Sequence, residues 1–480
     1  MDMKMLIGGS LVDAAGGAVI NNVDPYDGSL IGTVPSAARA DVERAVACAV
    51  RGQREWAALR HDQREALIER FLSLLAEHEE ELAQLLCRES GKTISICRAE
   101  IRQIPLIYRA YLHAAATLFG KSLPCGIEPR NLNDAAFTRY EPLGVCVCIA
   151  PFNYPLSLLT NKLAPALLAG NSVIAKPASD TPMSTLRYVE LMWEAGFSGN
   201  VVQAITGSGS QVGQWITDDP GVAAVSLTGS VSAGVSLYQG AGKHLQRIHL
   251  ELGGNDPLIV FPDCDLDKAA AEAVAGRLPN AGQTCSGSKR FLVHNSIREA
   301  FTEKLIAAVS ACRAGAPTDE EADYSCLINL REACTVEEQI RHTVEQGARC
   351  VLGGRRNGSF VEPTVLTGVT PDMDVARDLE IFGPVFPIIG FDTFEEAIAI
   401  ANQTSYGLSS GVMTENIHTG MKAAGLLKAG TCVINGNGDY RNSYHPFGGC
   451  KMSGLGREGA LLTLAEFCEV KTIVLREAFS

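Results

Sequence analysis

The chain has 480 residues, more than one hydrophobic core ordinarily organises, so two or three domains are expected. Its 46% hydrophobic and 20% charged residues are those of a folded globular protein, and a formal net charge of −13 argues against nucleic acid or an anionic membrane as the main partner. The 15 cysteines are odd in number and show no paired spacing, which points to a reducing compartment; with no leader-like or membrane-length apolar run, a cytoplasmic protein is expected.

Residues 4–12 and 17–34 read as hairpin-like strands broken by Gly, Asp and Pro. Amphipathic helices follow: one capped by Asp41 and running toward Leu59, one over 62–87 with Leu67, Phe71, Leu74, Leu75 and Leu82 at helical spacing, and one carrying Ile104, Ile107, Tyr111 and Ala115. From Leu143 strands at 144–149, 172–176, 201–206, 222–227 and 247–252 alternate with helices, the grammar of a doubly wound α/β sheet. Cys146 and Cys148 alternate with valines there and read as packing, so no metal is expected. A second alternating region begins at Pro257, with a strand at 258–261, a helix at 266–281, a strand at 291–294, a helix at 297–311, and further strands near 386–391, 408–413 and 431–435 between helices 394–402 and 417–427. Two α/β lobes with a cleft between them are the expectation.

Doubly wound sheets bind ligands beyond the carboxyl ends of their strands, where this chain places glycine turns. The run Gly207-Ser-Gly209-Ser-Gln-Val-Gly213 has one residue too many for the dinucleotide fingerprint. Thr228-Gly229-Ser230 precedes a helix, so Ser230 is placed as its N-cap, where a phosphate is stabilised; ordinary βα turn chemistry explains either segment equally well. Cys285 lies in Asn280-Ala-Gly-Gln-Thr-Cys285, and Glu251 in Leu250-Glu-Leu-Gly-Gly254. A lone cysteine more often packs as a small hydrophobe, but a thiol in a polar, glycine-bearing turn together with an acid in its own Gly-Gly segment is equipment for making and hydrolysing a thioester.

Five segments, Ile149-Ala-Pro-Phe-Asn-Tyr-Pro155, Ala175-Lys-Pro-Ala-Ser179, Leu250-Glu-Leu-Gly-Gly254, Asn280-Ala-Gly-Gln-Thr-Cys285 and Glu380-Ile-Phe-Gly-Pro384, resemble in order and spacing the NAD(P)-dependent aldehyde dehydrogenase superfamily. The resemblance extends to Pro446-Phe-Gly-Gly449 and a closing strand near 470–475. It implies a Rossmann-type cofactor domain (1–119 and 144–254), an α/β catalytic domain (255–450) and a small β oligomerisation extension (120–143 and 451–480) of a homodimer or homotetramer. It further implies that Cys285 attacks the aldehyde, that the Asn153 side chain and the Cys285 backbone N–H hold the oxyanion, and that Glu251 activates the hydrolytic water. For the cofactor it implies Ile149, Ala150, Pro151 and Phe152 along one turn, Lys176 at the adenosine ribose with Ala178 and Ser179 beside it, and Gly209, Gly213 and Gly229 at close approaches. Ser230 would meet the pyrophosphate, Glu380 would grip the nicotinamide ribose with Phe382 beside the ring, and Ala233, Leu252 and Gly253 would be further cofactor contacts. Many NAD-preferring members carry Glu where this chain has Ser179, so the resemblance implies NAD or NADP, with NADP accepted.

The segments 251–257 and Arg441-Asn-Ser-Tyr-His-Pro446-Phe-Gly-Gly449 resemble the branch acting on lactaldehyde, succinate semialdehyde, phosphonoacetaldehyde and, without phosphorylation, glyceraldehyde 3-phosphate. Arg441 suits an anionic tail, yet Thr284 stands where phosphate-handling members often carry Arg, so a small aliphatic aldehyde of the succinate-semialdehyde or lactaldehyde type is expected. Tyr154 and Thr284 are placed at its pocket, and Arg109 is either a compensating cation or a surface charge. CoA-acylating relatives typically lack the hydrolytic glutamate, and a non-catalytic relative would lose the site; Glu251, Cys285 and Asn153 weigh against both.

Overall fold

Five apolar strands, Val202–Ala204, Ser172–Lys176, Val145–Ile149, Val222–Thr228 and Arg247–Glu251, lie parallel and in that order in the computed structural model, which describes residues 1–479. The three that come first in that order are wholly buried because helices cover both faces of the sheet, which is why they read as unbroken apolar runs. The winding reverses between Val145–Ile149 and Val222–Thr228, so the crevice of a doubly wound sheet opens there. Register brings Lys176 opposite Ile149, Ile149 opposite Leu227, and Glu251 opposite Thr228, so these strand ends share one edge. The hairpin of Met5–Ile7 and Ser10–Val12 extends the far side, and Gly454–Leu455 pairs antiparallel with Leu250 and Glu251 on the near side.

A second sheet of seven strands runs Arg349–Leu352, Thr364–Val369, Val385–Phe391, Arg290–His294, Pro257–Val260, Gly411–Met413 and Val433–Ile434, built around Ile259, Leu292, Ile389 and Val412. A third joins Cys468–Leu475 to Ala135–Pro142 in continuous antiparallel register, with Ser122–Leu123 beyond. It leaves Phe137, Val470, Val474 and Leu475 exposed.

Local chemistry shifts several expected boundaries. The first long helix spans Arg39–Ala57 with Ala38 at its N-cap, and Asp41 acts from the first turn instead, accepting the backbone N–H of Ala38 at 2.8 Å. The expected helix at 62–87 is two helices, His61–Glu77 and Glu79–Ser90, because His78 departs from helical geometry at φ −105° and ψ 15°. The helix from Leu266 stops at Ala275, ahead of a left-handed turn. Within 451–479, Gly454–Leu455 joins the first sheet, Ala460–Glu466 packs on the helices Ile94–Ala115 and Pro155–Leu168, and Cys468–Leu475 is the strand that pairs with Ala135–Pro142. Among the described residues, no helix is long and apolar enough to cross a membrane.

Candidate active site

Beyond Ile149 the chain turns through Asn153 and enters the helix Pro155–Leu168. The first N–H groups of a helix lack intrahelical partners, and here Glu100 accepts those of Leu156 and Ser157 at 2.9 and 3.0 Å. Lys92 pairs with Glu100, both fully buried, and its ammonium lies 4.6 Å from the centre of the Tyr154 ring. With the helix start fixed, the Asn153 side-chain amide donates to the Gln283 carbonyl at 2.9 Å, while Asn280 donates to the Asn153 carbonyl at 3.2 Å. Asn153 is thereby fastened to the turn that carries Cys285.

That turn holds three successive left-handed residues, Asn280 and Ala281 at φ 51° and Gly282 at φ 77°. The conformation is costly for residues with a Cβ and persists only where the surroundings hold it. Arg277 supplies the clamp: its buried guanidinium donates to the carbonyls of Val385 at 3.0 Å, Gly282 at 3.2 Å, and Ile381, and burial brings its pKa down to about 9. A methyl group on Gly282 would lie 2.3 Å from the Gly383 carbonyl oxygen. Gly282→Ala should therefore cost about 3 kcal/mol of stability and displace Cys285, visible as a lowered Tm in thermal denaturation together with lost activity.

Cys285 retains partial exposure, and its backbone N–H donates to no other group among the described residues. Its carbonyl accepts from Lys289, whose ammonium is 3.5 Å from Glu380. Glu251, at the end of its strand, is 4% exposed, and neither carboxylate oxygen has a hydrogen-bond partner. Burial raises the Glu251 pKa, with Arg441 pulling it down and Glu458 pushing it up. Burial also holds the Cys285 thiol well above its usual value, reinforced by the Glu251 charge and opposed by Arg441 and Lys289. Thiol and carboxyl are thus mutual neighbours, each biased toward its protonated form. Beside them Arg441 donates to Glu458 at 2.7 Å, stacks 3.9 Å from the centre of the Phe447 ring, and shares Glu458 with Lys162 at 2.8 Å.

The strand edge presents features that suit a dinucleotide. Ser230 caps the helix Val231–Ala241, accepting the Ala233 N–H at 3.3 Å, and the buried Thr228 Oγ1 next to this turn has no partner. Lys176 is buried, donates to the Pro177 carbonyl at 2.9 Å, and is brought down by burial to about 8. Ser179 donates to the Gly207 carbonyl at 3.2 Å, and the acid next to it, Asp180, accepts from Asn329 at 3.0 Å while its charge acts on Lys176. Gly209 opens the helix Gly209–Asp218 with free space around it, whereas Gly213 lies inside that helix, where a methyl would be 3.2 Å from Leu237. Gly213 thus sits one turn into the helix, where its missing side chain admits Leu237. From the other lobe Glu380 accepts the Gly254 N–H at 3.3 Å and closes on Gly253, where a methyl would fall 2.2 Å from its carboxylate. Phe382 meets Phe152 edge to face, 5.9 Å between ring centres.

Residues 11–473 match the aldehyde dehydrogenase family. The chain belongs to that family. Similar solved structures include succinate-semialdehyde dehydrogenase from Burkholderia pseudomallei, 35% identical over 99% of this chain and 98% of that one with a TM-score of 0.95. An E. coli NADP-dependent enzyme is 34% identical over 99% and 98%, also at 0.95. A point mutant of betaine aldehyde dehydrogenase from Staphylococcus aureus, in complex with NAD+, is 32% identical over 99% and 97%, again at 0.95. The protein is an NAD(P)-dependent aldehyde dehydrogenase.

In this aldehyde dehydrogenase the expected residues do not all converge. Tyr154 and Thr284 are in contact beside Cys285, burial raising the phenol and Thr284 lowering it. Arg109 is not near them: on the helix Ile94–Ala115 the residues reaching the Arg441 neighbourhood are Gln103 and Ile107, and Arg109, about 200° round from Ile107, faces solvent with no ion pair among the described residues. The structure adds Lys92, Glu100, Lys162, Arg277, Lys289 and Glu458 to the vicinity, none of which carried a motif of its own.

Proposed function

We propose that this enzyme converts a small aliphatic aldehyde, of the succinate-semialdehyde or lactaldehyde type, to its carboxylate through a thioester on Cys285. The observation that carries the reading is the adjacency of the partly exposed Cys285 to the buried carboxyl of Glu251 at the carboxyl edge of the sheet, facing the turn held by Asn153. Glu251 takes the thiol proton, and the Cys285 sulfur bonds to the aldehyde carbon. The oxyanion formed is held by the Cys285 backbone N–H and the Asn153 amide, whose second N–H is not spent on Gln283. Bound nicotinamide supplies the acceptor for the hydride that leaves this carbon. Glu251, after passing the thiol proton on to solvent, then takes a proton from water as the water oxygen attacks the thioester carbon, and the C–S bond breaks with Cys285 leaving as thiolate. Lys176, Ser179, Ser230, Glu380 and Phe382 would hold the cofactor. Glu251 favours hydrolysis over transfer to CoA.

The Arg441 donors not used by Glu458 would meet an anionic tail, and the Tyr154–Thr284 contact favours a carboxylate over a phosphate by filling the place next to the nucleophile. Following reduced-cofactor absorbance with succinate semialdehyde, lactaldehyde, glyceraldehyde 3-phosphate and benzaldehyde tests this; fastest turnover of benzaldehyde or of the phosphate would contradict it. NADP is accepted on this reading because Ser179 stands where a glutamate would repel the 2′-phosphate, while the neighbouring Asp180 is engaged by Asn329. Ser179→Glu should weaken NADP relative to NAD by about 2 kcal/mol, roughly thirtyfold in the ratio of kcat/KM values, through repulsion of the 2′-phosphate. The exposed apolar residues of the third sheet, Phe137, Val470 and Val474, favour a homo-oligomer assembled through it.

A further inference from the structure

Alternate residues of a strand share a face, so Arg247, His249 and Glu251 form one row along Arg247–Glu251, from the surface toward the reaction centre. His249 and Glu251 border a small cavity of about 20 Å³, walled also by Lys162, Glu458, Thr463 and Glu466. Three polar atoms of the row, both Glu251 carboxylate oxygens and His249 Nε2, are buried with no hydrogen-bond partner among the described residues. A cavity of this size accommodates one water, which needs two to four polar partners, and the lining supplies them. The His249 ring stacks on Phe467 at 5.0 Å, and its Nδ1 is 3.0 Å from Glu466, whose side chain is 33% exposed. Gly456 leaves room for this pair: a methyl there would lie 3.2 Å from His249 Nδ1 and 3.1 Å from Glu466.

Resting on the roles given above to Cys285 and Glu251, each deacylation leaves a proton on Glu251 while acyl group and cofactor fill the cleft in front of it. The nearest carboxylate, Glu458, is a poor acceptor, because Lys162 and Arg441 occupy its two oxygens. His249 Nε2 has no such engagement. We propose that His249 is the proton relay of this enzyme, receiving the Glu251 proton through a water in the cavity and delivering it to solvent by way of Glu466. The Glu251 acid gives its proton to the water, the water gives one to His249 Nε2, and the Nδ1 proton passes to the Glu466 carboxylate and out; no electrons move. Glu251 is restored without opening the cleft.

The test is rapid mixing of the full-length enzyme with NADP+ and its fastest aldehyde from the panel above, for wild type, His249→Gln and Glu466→Gln. His249→Gln is expected to form its first equivalent of NADPH at the wild-type rate and then turn over about tenfold more slowly, so that kcat falls while kcat/KM holds. Glu466→Gln should shift kcat in the same direction by less. The groups facing His249 are Glu466, Glu251, Lys162, Glu458, Arg247 and Arg457. All remain in the histidine variant, so the part of the wild-type pH dependence of kcat that His249 carries should disappear in it. Unchanged kcat in His249→Gln, or kcat/KM falling in step with kcat, would overturn the relay. NADPH formation surviving in Cys285→Ala would instead overturn the reading on which the relay rests.

Discussion

Replacing Cys285 by alanine is expected to lower aldehyde-dependent formation of reduced cofactor by about 10⁴-fold or more, while cofactor binding and the thermal unfolding midpoint stay at wild-type values. The loss should be this large because no neighbouring group can substitute. Ser286 Oγ is committed to Asp439 at 2.7 Å, and Ser288 is fully buried. Folding should be indifferent, since the turn is held by Arg277, Gln283 and Lys289 through backbone carbonyls rather than by the thiol. The wild-type pH profile follows from the same environment. Burial keeps the thiol pKa high, so the thiolate fraction, and with it kcat/KM, should climb with pH across the neutral range; a profile falling over that range would contradict the assignment.

Glu251→Gln is expected to separate the two halves of the reaction. The amide fills the same volume but accepts no proton, so thioester formation should continue slowly with solvent as base while hydrolysis stalls, lowering kcat by about 10² to 10⁴-fold and leaving a burst of one reduced cofactor per site. Stability should move the other way. A carboxyl whose folded pKa lies above its ordinary 4.5 contributes stability at low pH that is lost as pH rises from there through the raised value. The Gln variant lacks that loss, so its unfolding midpoint should fall less than that of wild type between acid and neutral pH. Midpoints measured across that range decide it.

The strands of the first sheet and the cap at Ser230 were legible because each is written in local residues, apolar runs and a serine before a helix, whereas the segments around Cys285, Glu251 and Asn153 stood out through their joint resemblance to one family. What escaped is what depends on distant partners. Arg277 and the Lys92–Glu100 pair look like ordinary helical charges, and only folding shows that the guanidinium holds carbonyls at 282, 381 and 385 and that Glu100 receives the N–H groups of Leu156 and Ser157. Gly213 has turn-like neighbours but sits inside a helix because its missing side chain admits Leu237. Arg109 misled because charge type carries no direction; the helical phase set by buried Ile107 and Tyr108 turns it outward. The interruption at His78 has no signature in a run of acidic and apolar residues that suits a helix throughout.

Trapping the covalent intermediate is the most direct test. Glu251→Gln enzyme mixed with NADP+ and succinate semialdehyde, quenched in acid, digested and analysed by mass spectrometry, should carry the succinyl group on the peptide containing Cys285, in about one copy per chain. Reduced cofactor formed with Cys285 unmodified, or acylation on a different cysteine, would contradict the account.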